Sequence, residues 1–245
     1  MATDYNLIAN EYAYSKTLPW RKHLESFTFF NHIGSLKGKS VLELACGDGF
    51  YTRLTKLNGA KEVIGTDLSD QMIALALKRE ELHPLGITYQ VADALALNLD
   101  KKFDLVIASY LLNYAHNKNE LDTMCKVITN HLKSGGRFVT INNNPDCKLP
   151  NLSMRKYGFE RIQTGTKEGD EIIYKLFLPN DSHINIINYH LSKETHEECF
   201  EKNFLRNIQW HNMEISNQGE VEFGEDYWQD LLNCQPVTII TGEVA

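Results

Sequence analysis

No apolar run in this 245-residue chain approaches the ~20 residues that a membrane-spanning helix needs. Its opening, "MATDYNLIANEYAYS", lacks the basic start and apolar stretch of a secretion signal. No basic run exceeds a few residues, and 32 Asp and Glu outweigh 25 Lys and Arg for a formal charge of -7. Binding along nucleic-acid phosphates is therefore disfavoured. Cysteines number five, an odd count without CxxC spacing, which argues against both a disulfide framework and a zinc site. His190, His196 and Cys199 are irregularly spaced and read as belonging to a helix surface, so no metal is expected. Internal repeats and low-complexity tracts are absent too. These absences leave a soluble, reduced, cytoplasmic protein with no membrane or nucleic-acid partner, and they say nothing of its oligomeric state.

What is present is alternation. Short apolar runs, "VLEL" (41–44), "EVIGTD" (62–67), "ITYQVAD" (87–93), "FDLVIASYL" (103–111) and "GRFVTIN" (136–142), are separated by helical patterns. That spacing is the signature of parallel βαβ units. Ser69 can cap a helix carrying Met72, Ile73, Ala76 and Leu77. Asn117 and Glu120 have capping-box spacing ahead of an apolar stripe from Leu121 to Leu132. Gly59 and Gly135 suit helix ends. Residues 5–36 read as one or two helices broken near Pro19, packed as a cover over the ligand end of the sheet. A β-hairpin over 170–191 reads as an insertion, then Ser192 opens a helix and "VTIITG" (237–242) forms a last strand. The expected organisation is a single domain: cover (1–40), cofactor core (41–142), substrate-side insertion (143–191) and sheet completion (192–245).

The loop "LELACGDGF" (42–50) indicates the ligand. A dinucleotide site of GxGxxG type uses a third glycine for close helix packing, with pyrophosphate at the helix N-terminus. Here Gly47 and Gly49 are present, the third position is Thr52, and Glu43 stands just upstream, where it would repel pyrophosphate. An acid suits a cationic ligand instead, and S-adenosylmethionine carries a sulfonium and an α-ammonium. Asp67, at the end of the second run, can accept from both ribose hydroxyls, and Asp93, ending the third, from an exocyclic adenine amine.

On these motifs, residues 41–142 resemble the Rossmann-like (class I) S-adenosylmethionine-dependent methyltransferases. "VLELACGDG", "VIGTDLSDQM", "VADAL" and "FDLVIASYLLNY" match their successive motifs, and "LKSGGRFV" matches their turn before the fifth strand, with Ser134 in place of proline. "YNLIANEY", "FYTR", "FVTINNNP" and "NYHLS" look like small-molecule N-methyltransferases of the toxoflavin-biosynthesis type. The resemblance implies an α/β fold: a seven-stranded, mostly parallel sheet, its last strand antiparallel, with helices on both faces. It implies that Glu43 and the backbone around Ala45, Cys46, Gly47 and Gly49 hold the methionine portion of the cofactor. Asp67 would bind ribose, Leu68, Met72 and Ala94 would flank adenine with Asp93 at its amine, and Ser109 and Tyr110 would lie near the sulfonium. Tyr12 and Arg21 would approach from the N-terminal helices, Arg21 pairing with the cofactor carboxylate.

Methyl transfer from a sulfonium is an in-line displacement in which positioning supplies most of the catalysis, and no catalytic residue can be named. Acceptor contacts are sought in Tyr110, Asn113 and Tyr114 after the fourth strand, Asn142, Asn143 and Asn144 after the fifth, and Tyr174 and Tyr189 on the hairpin. Amides paired with flat aromatic walls suit the edge of a polar heterocycle. The Asn-Pro-Pro-aromatic element of nucleic-acid amino-methylating enzymes and the Pro-Cys nucleophile of pyrimidine C5 chemistry are both missing. The expectation is an enzyme methylating a small molecule. An oxygen or protein acceptor, or a regulatory module that binds the cofactor without turnover, stands as the alternative.

Overall fold

The alternating runs fold into a seven-stranded sheet, seen in a computed structural model that describes residues 3–149 and 151–244. The first two residues of the opening and Pro150, one breaker of the stretch 145–158, lie outside the described residues. Five strands come from the expected runs: β1 (Ser40–Leu44), β2 (Glu62–Asp67), β3 (Thr88–Val91), β4 (Phe103–Ile107) and β5 (Leu132–Asn143). A three-stranded antiparallel sheet follows, made of β6 (Phe159–Gln163), β7 (Glu171–Phe177) and β8 (His183–Tyr189). The chain then returns to the main sheet with β9 (Leu205–His211) and β10 (Val237–Val244). The order is β3-β2-β1-β4-β5-β10-β9, parallel from β3 to β5, with β10 antiparallel to both neighbours. Strand order reverses between β1 and β4, and ligands of open α/β sheets bind at the carboxyl ends of strands at such a point.

Side-chain alternation along the strands divides the core between two faces. Val41, Val63, Leu105, Ile107, Val139 and Ile239 face one side, Leu42, Leu44, Val106, Phe138 and Ile240 the other. Each fully buried Val, Leu, Ile or Phe stabilises the fold by about 1.5–3 kcal/mol, so both faces need helical cover. On the first lie α2 (Phe27–Ile33), α4 (Asp70–Leu82) and α8 (Glu225–Cys234), through residues such as Phe29, Ile73 and Trp228. On the second lie α5 (Lys118–Asn130) and α6 (Lys193–Lys202), through Leu121, Ile128, Cys199 and Phe200. The N-terminal cover is α1 (Tyr5–Ser15), a break over residues 16–18, and a helical segment that opens at Pro19, passes through a π-helical turn, Arg21–Ser26, and runs into α2.

Several local expectations are corrected. The insertion has a third strand, β6, which the proline- and glycine-broken stretch before it obscured. Gly135 sits at φ 68° within β5, where the register with β4 shifts, rather than at a helix end. Leu77 is exposed, because Met72, Ile73 and Ala76 already define the buried face of α4 and the next residue is turned about 100° away. Asn117 caps α5 through the N–H groups of Asn119 and Glu120, but the Glu120 carboxylate accepts from the His116 N–H and the Asn117 side-chain amide rather than from the Asn117 backbone N–H of a capping box. His190 and His196 are buried, not surface residues. The His196 ring lies between the Ser192 carbonyl (2.8 Å) and the Asn142 amide (3.1 Å), and burial lowers its pKa to about 4. The short helices α7 (Asn217–Phe223) and α8, separated by Gly224, were not anticipated.

Candidate active site

The glycine loop leaves β1 through left-handed turns at Ala45 (φ 53°), Gly47 (φ 56°) and Gly49 (φ 80°), and α3 (Phe50–Leu57) begins directly after it. The two glycines serve different ends. A Cβ on Gly47 would meet nothing within 4 Å, and this residue lines a cavity; a Cβ on Gly49 would lie 2.4 Å from the Tyr89 hydroxyl. Gly49 thus makes room for Tyr89, while Gly47 keeps the ligand side of the loop bare. The Cys46 side chain turns away from the cavity and packs against Gly65 on β2.

Thr52, which stands where the third glycine of a dinucleotide loop would be, donates its hydroxyl to Glu43 Oε2 at 2.6 Å. Glu43 is buried beneath the loop and does not line the cavity. Burial pushes its pKa up to about 8, against the opposing pull of Thr52 and Lys16. A carboxyl raised in the fold stabilises it below the unfolded value of about 4.5, and that contribution is lost as pH rises through about 8. The thermal midpoint of the cofactor-free protein should therefore fall across that window, and Glu43→Gln should flatten the fall. An unchanged slope in the variant would contradict the assignment.

The cavity encloses about 310 Å³ at the carboxyl ends of the parallel strands. That volume is within the range of small-molecule sites, about 300–1,000 Å³. Ala45 and Gly47 reach it from the loop, Asp67, Leu68 and Met72 from the β2–α4 junction, and Asp93 and Ala94 from beyond β3. Ser109 and Tyr110 follow β4, and Tyr12 projects from α1. Asp67 is braced on both oxygens, accepting from the N–H groups of Gly47 (2.8 Å) and Ser69 (2.9 Å), and burial raises its pKa. Asp93 accepts from the Leu95 N–H at 2.8 Å. Ser109 Oγ is buried without a protein partner, a polar group that a ligand can satisfy. Tyr5 and His116 also line the cavity and were not singled out from sequence, and so do Glu120 and Met124, which the sequence reading gave to a helix cap and a core stripe. Tyr5 was recoverable: it lies seven residues before Tyr12, on the same face of α1, and their rings meet edge to face at 5.0 Å.

A second, inner cavity of about 30 Å³ adjoins the first, and Tyr5, Tyr12, Tyr110 and Tyr114 line both. Asn113, Tyr174, Trp20, Leu176, Ile186 and Asn188 line it as well. Arg21 also lines it, but its guanidinium pairs with the buried Glu25 and donates to the Tyr110 hydroxyl at 2.8 Å. Tyr110 and Tyr51 both donate to the same carboxylate. Burial lowers the Arg21 pKa, yet Glu25 together with Tyr110, Tyr12 and Tyr51 outweighs it and holds the value above the usual one. Arg21 is therefore committed within the fold. A nearer cation to the loop is Lys16, whose ammonium sits 5.1–5.9 Å from the ring centres of Tyr12, Phe50, Tyr51 and Tyr110.

The remaining polar residues lie elsewhere. Asn142 bonds His196, and Asn144 donates to the Gln235 carbonyl at 2.9 Å while accepting from the Asp146 N–H. Both satisfy neighbouring groups of the fold and line neither of the two cavities described above. Asn143 accepts from the Tyr174 hydroxyl at 3.0 Å. Tyr189 packs on the His116 ring at 3.8 Å, behind the outer cavity. Among the described residues no group of three or more His, Cys, Asp or Glu could hold a metal ion, and no helix is long and apolar enough to cross a membrane.

Comparison with known proteins places this geometry. Residues 41–136 match the family model described as a methyltransferase domain. A solved S-adenosylmethionine dependent methyltransferase from Mesorhizobium loti superposes with a TM-score of 0.66 at 17% identity, over 94% of this chain and 99% of that one. The fold is that of the class I S-adenosylmethionine-dependent methyltransferases. Among curated relatives, a ubiquinone biosynthesis O-methyltransferase of Coxiella burnetii (strain Dugway 5J108-111) is 31% identical over 143 residues, 57% of this chain. A ribosomal protein L11 methyltransferase of Burkholderia lata is 35% identical over 101 residues, 41% of this chain and 31% of the relative. The chain spans 59% of the length of the first of these relatives. The family model covers residues 41–136, so the cover and the three-stranded insertion lie outside the matched domain.

Proposed function

We propose that this chain transfers the methyl group of S-adenosylmethionine to a small, polar, planar molecule, at a ring nitrogen of a heterocycle. The observation that carries this reading is the wall of tyrosines shared by the outer and inner cavities. One cavity has the loop, ribose acid and adenine-side groups for the cofactor; the other, across that wall, has aromatic faces and amides for an acceptor. The cofactor supplies an electrophilic methyl on a sulfonium. The chain's own part is to hold the acceptor in line with it, about 3 Å away, and to exclude water under α1. A ring nitrogen that ionises readily needs no protein base.

In this reading Asp67 receives the ribose hydroxyls, Asp93 and Ala94 border the adenine, and Gly47 lets the backbone approach the methionine portion. Lys16, rather than Arg21, meets the cofactor carboxylate, because the Arg21 charge is already matched by Glu25. The chain acts as one cytoplasmic domain whose insertion supplies the floor of the acceptor site. An acceptor of toxoflavin-precursor type fits these requirements. The name of the Coxiella relative favours a second reading, methylation of a phenolic oxygen.

Incubation with methyl-labelled cofactor and a panel of azapteridine-like and phenolic acceptors separates these readings. Label in the heterocycles is the expected result. Label in the phenols alone moves the acceptor atom to oxygen. Label in neither, with cofactor binding intact, identifies a binding module.

A further inference from the structure

The inner cavity contains an unanswered polar edge. Asn113, 2% exposed in the turn after β4, leaves both its Oδ1 and its Nδ2 buried without a hydrogen-bond partner. Trp20, 3% exposed, leaves its indole N–H in the same condition, and both residues line this cavity. An unsatisfied buried amide costs about 1–3 kcal/mol, so a fold that keeps two such residues facing one space gains something from them there. On the other side Tyr174 donates to Asn143 and Asn188 Oδ1 accepts from the Asn143 amide, while Asn188 Nδ2 is one more buried donor without a partner, facing the same space. The Arg21 guanidinium charge is matched by Glu25, and only its Nε–H is left without a partner.

We infer that Asn113 and Trp20 recognise the acceptor by a neutral cis-amide edge, the adjacent N–H and C=O of a lactam or imide ring. This inference rests on the methyl-transfer reading and deepens it. A carboxamide offers one acceptor and one donor side by side, and its geometric complement is another cis-amide, which closes two parallel hydrogen bonds. The indole N–H supplies one more donor for a second carbonyl. Tyrosine faces stack the ring, and the neutral Arg21–Glu25 pair gives no preference to a phosphate or carboxylate. At about 30 Å³ the space admits a water but no heterocycle, so the acceptor enters by parting the Tyr5 and Tyr114 hydroxyls, which now meet across the wall. The element that moves is α1, which buries only Ala9 and Ser15 and is interrupted at Ile8.

The test uses the full chain saturated with S-adenosylhomocysteine, whose binding is measured first by calorimetry. Three probes follow: lumazine, with an imide edge; 1,3-dimethyllumazine, the same ring without the N–H donor; and catechol. Lumazine is expected to bind at least tenfold more tightly than the other two. Asn113→Leu should abolish that preference while leaving S-adenosylhomocysteine affinity intact and the thermal midpoint unchanged or raised, because it removes an orphaned buried amide. Equal binding of the two lumazines, preference for catechol, or a lowered midpoint in Asn113→Leu overturns the inference. Failure of S-adenosylhomocysteine itself to bind overturns the methyl-transfer reading instead.

Discussion

Replacing Asp67 by alanine is expected to weaken S-adenosylmethionine binding about a hundredfold. Two hydrogen bonds from ribose hydroxyls to one carboxylate are together worth about 3 kcal/mol, because bonds to charged groups contribute about 1.5–3 kcal/mol each. The residue also ties the glycine loop to the start of α4 through the N–H groups of Gly47 and Ser69, so its loss relaxes the very backbone that meets the ligand. Asp67→Asn should recover part of the affinity, since it keeps the size of the side chain and one acceptor oxygen. Calorimetric titration of both variants measures the effect. Affinity in Asp67→Ala within threefold of the natural chain would remove the ribose contact from the account.

The largest effect on stability is expected from Arg21→Met. The substitution strands the Glu25 carboxylate, fully buried, with only the Tyr51 and Tyr110 hydroxyls to answer it. Breaking one side of a buried ion pair costs about 3–5 kcal/mol. At about 2–4 °C per kcal/mol for a chain of this size, the thermal midpoint should fall by roughly 6–20 °C. The double variant Arg21→Met/Glu25→Leu should regain most of that loss, because it no longer buries an unpaired charge. Lys16→Met should behave in the opposite way. Its midpoint should change little, its affinity for S-adenosylmethionine should drop about tenfold, and its affinity for decarboxylated S-adenosylmethionine should not drop at all. A stable Arg21→Met protein with weakened cofactor binding would return the carboxylate contact to Arg21.

The contrast between those two cations marks where the sequence stopped being legible. The parallel core of the sheet could be read directly from apolar runs of strand length separated by helical patterns, whereas the seven strands and the reversed last one were what the family resemblance implied. The residues around the outer cavity were legible for a related reason: they sit at fixed offsets from strand ends, so Ala45, Gly47, Asp67, Asp93 and Ser109 are delivered to one rim by the fold itself. Pairing is different. That Arg21 belongs to Glu25, one helical turn on, and Glu43 to Thr52 depends on which way buried side chains turn, and no spacing rule settles that. Thr52 is instructive: as a missing glycine it argued against a dinucleotide, and in the fold it also holds the acid that argued the same way. Trp20 and Asn188 came from the start of the second N-terminal helical segment and an insertion strand, segments whose meeting only the tertiary fold specifies.

Parallel calorimetric titrations with S-adenosylmethionine and NADH test the central claim most directly. The account predicts micromolar binding of S-adenosylmethionine and no detectable binding of NADH, because the buried Thr52–Glu43 bond stands where a dinucleotide loop needs its third glycine to bring helix and strand together. Binding of NADH without S-adenosylmethionine would contradict it and make the same cavity that of a dehydrogenase.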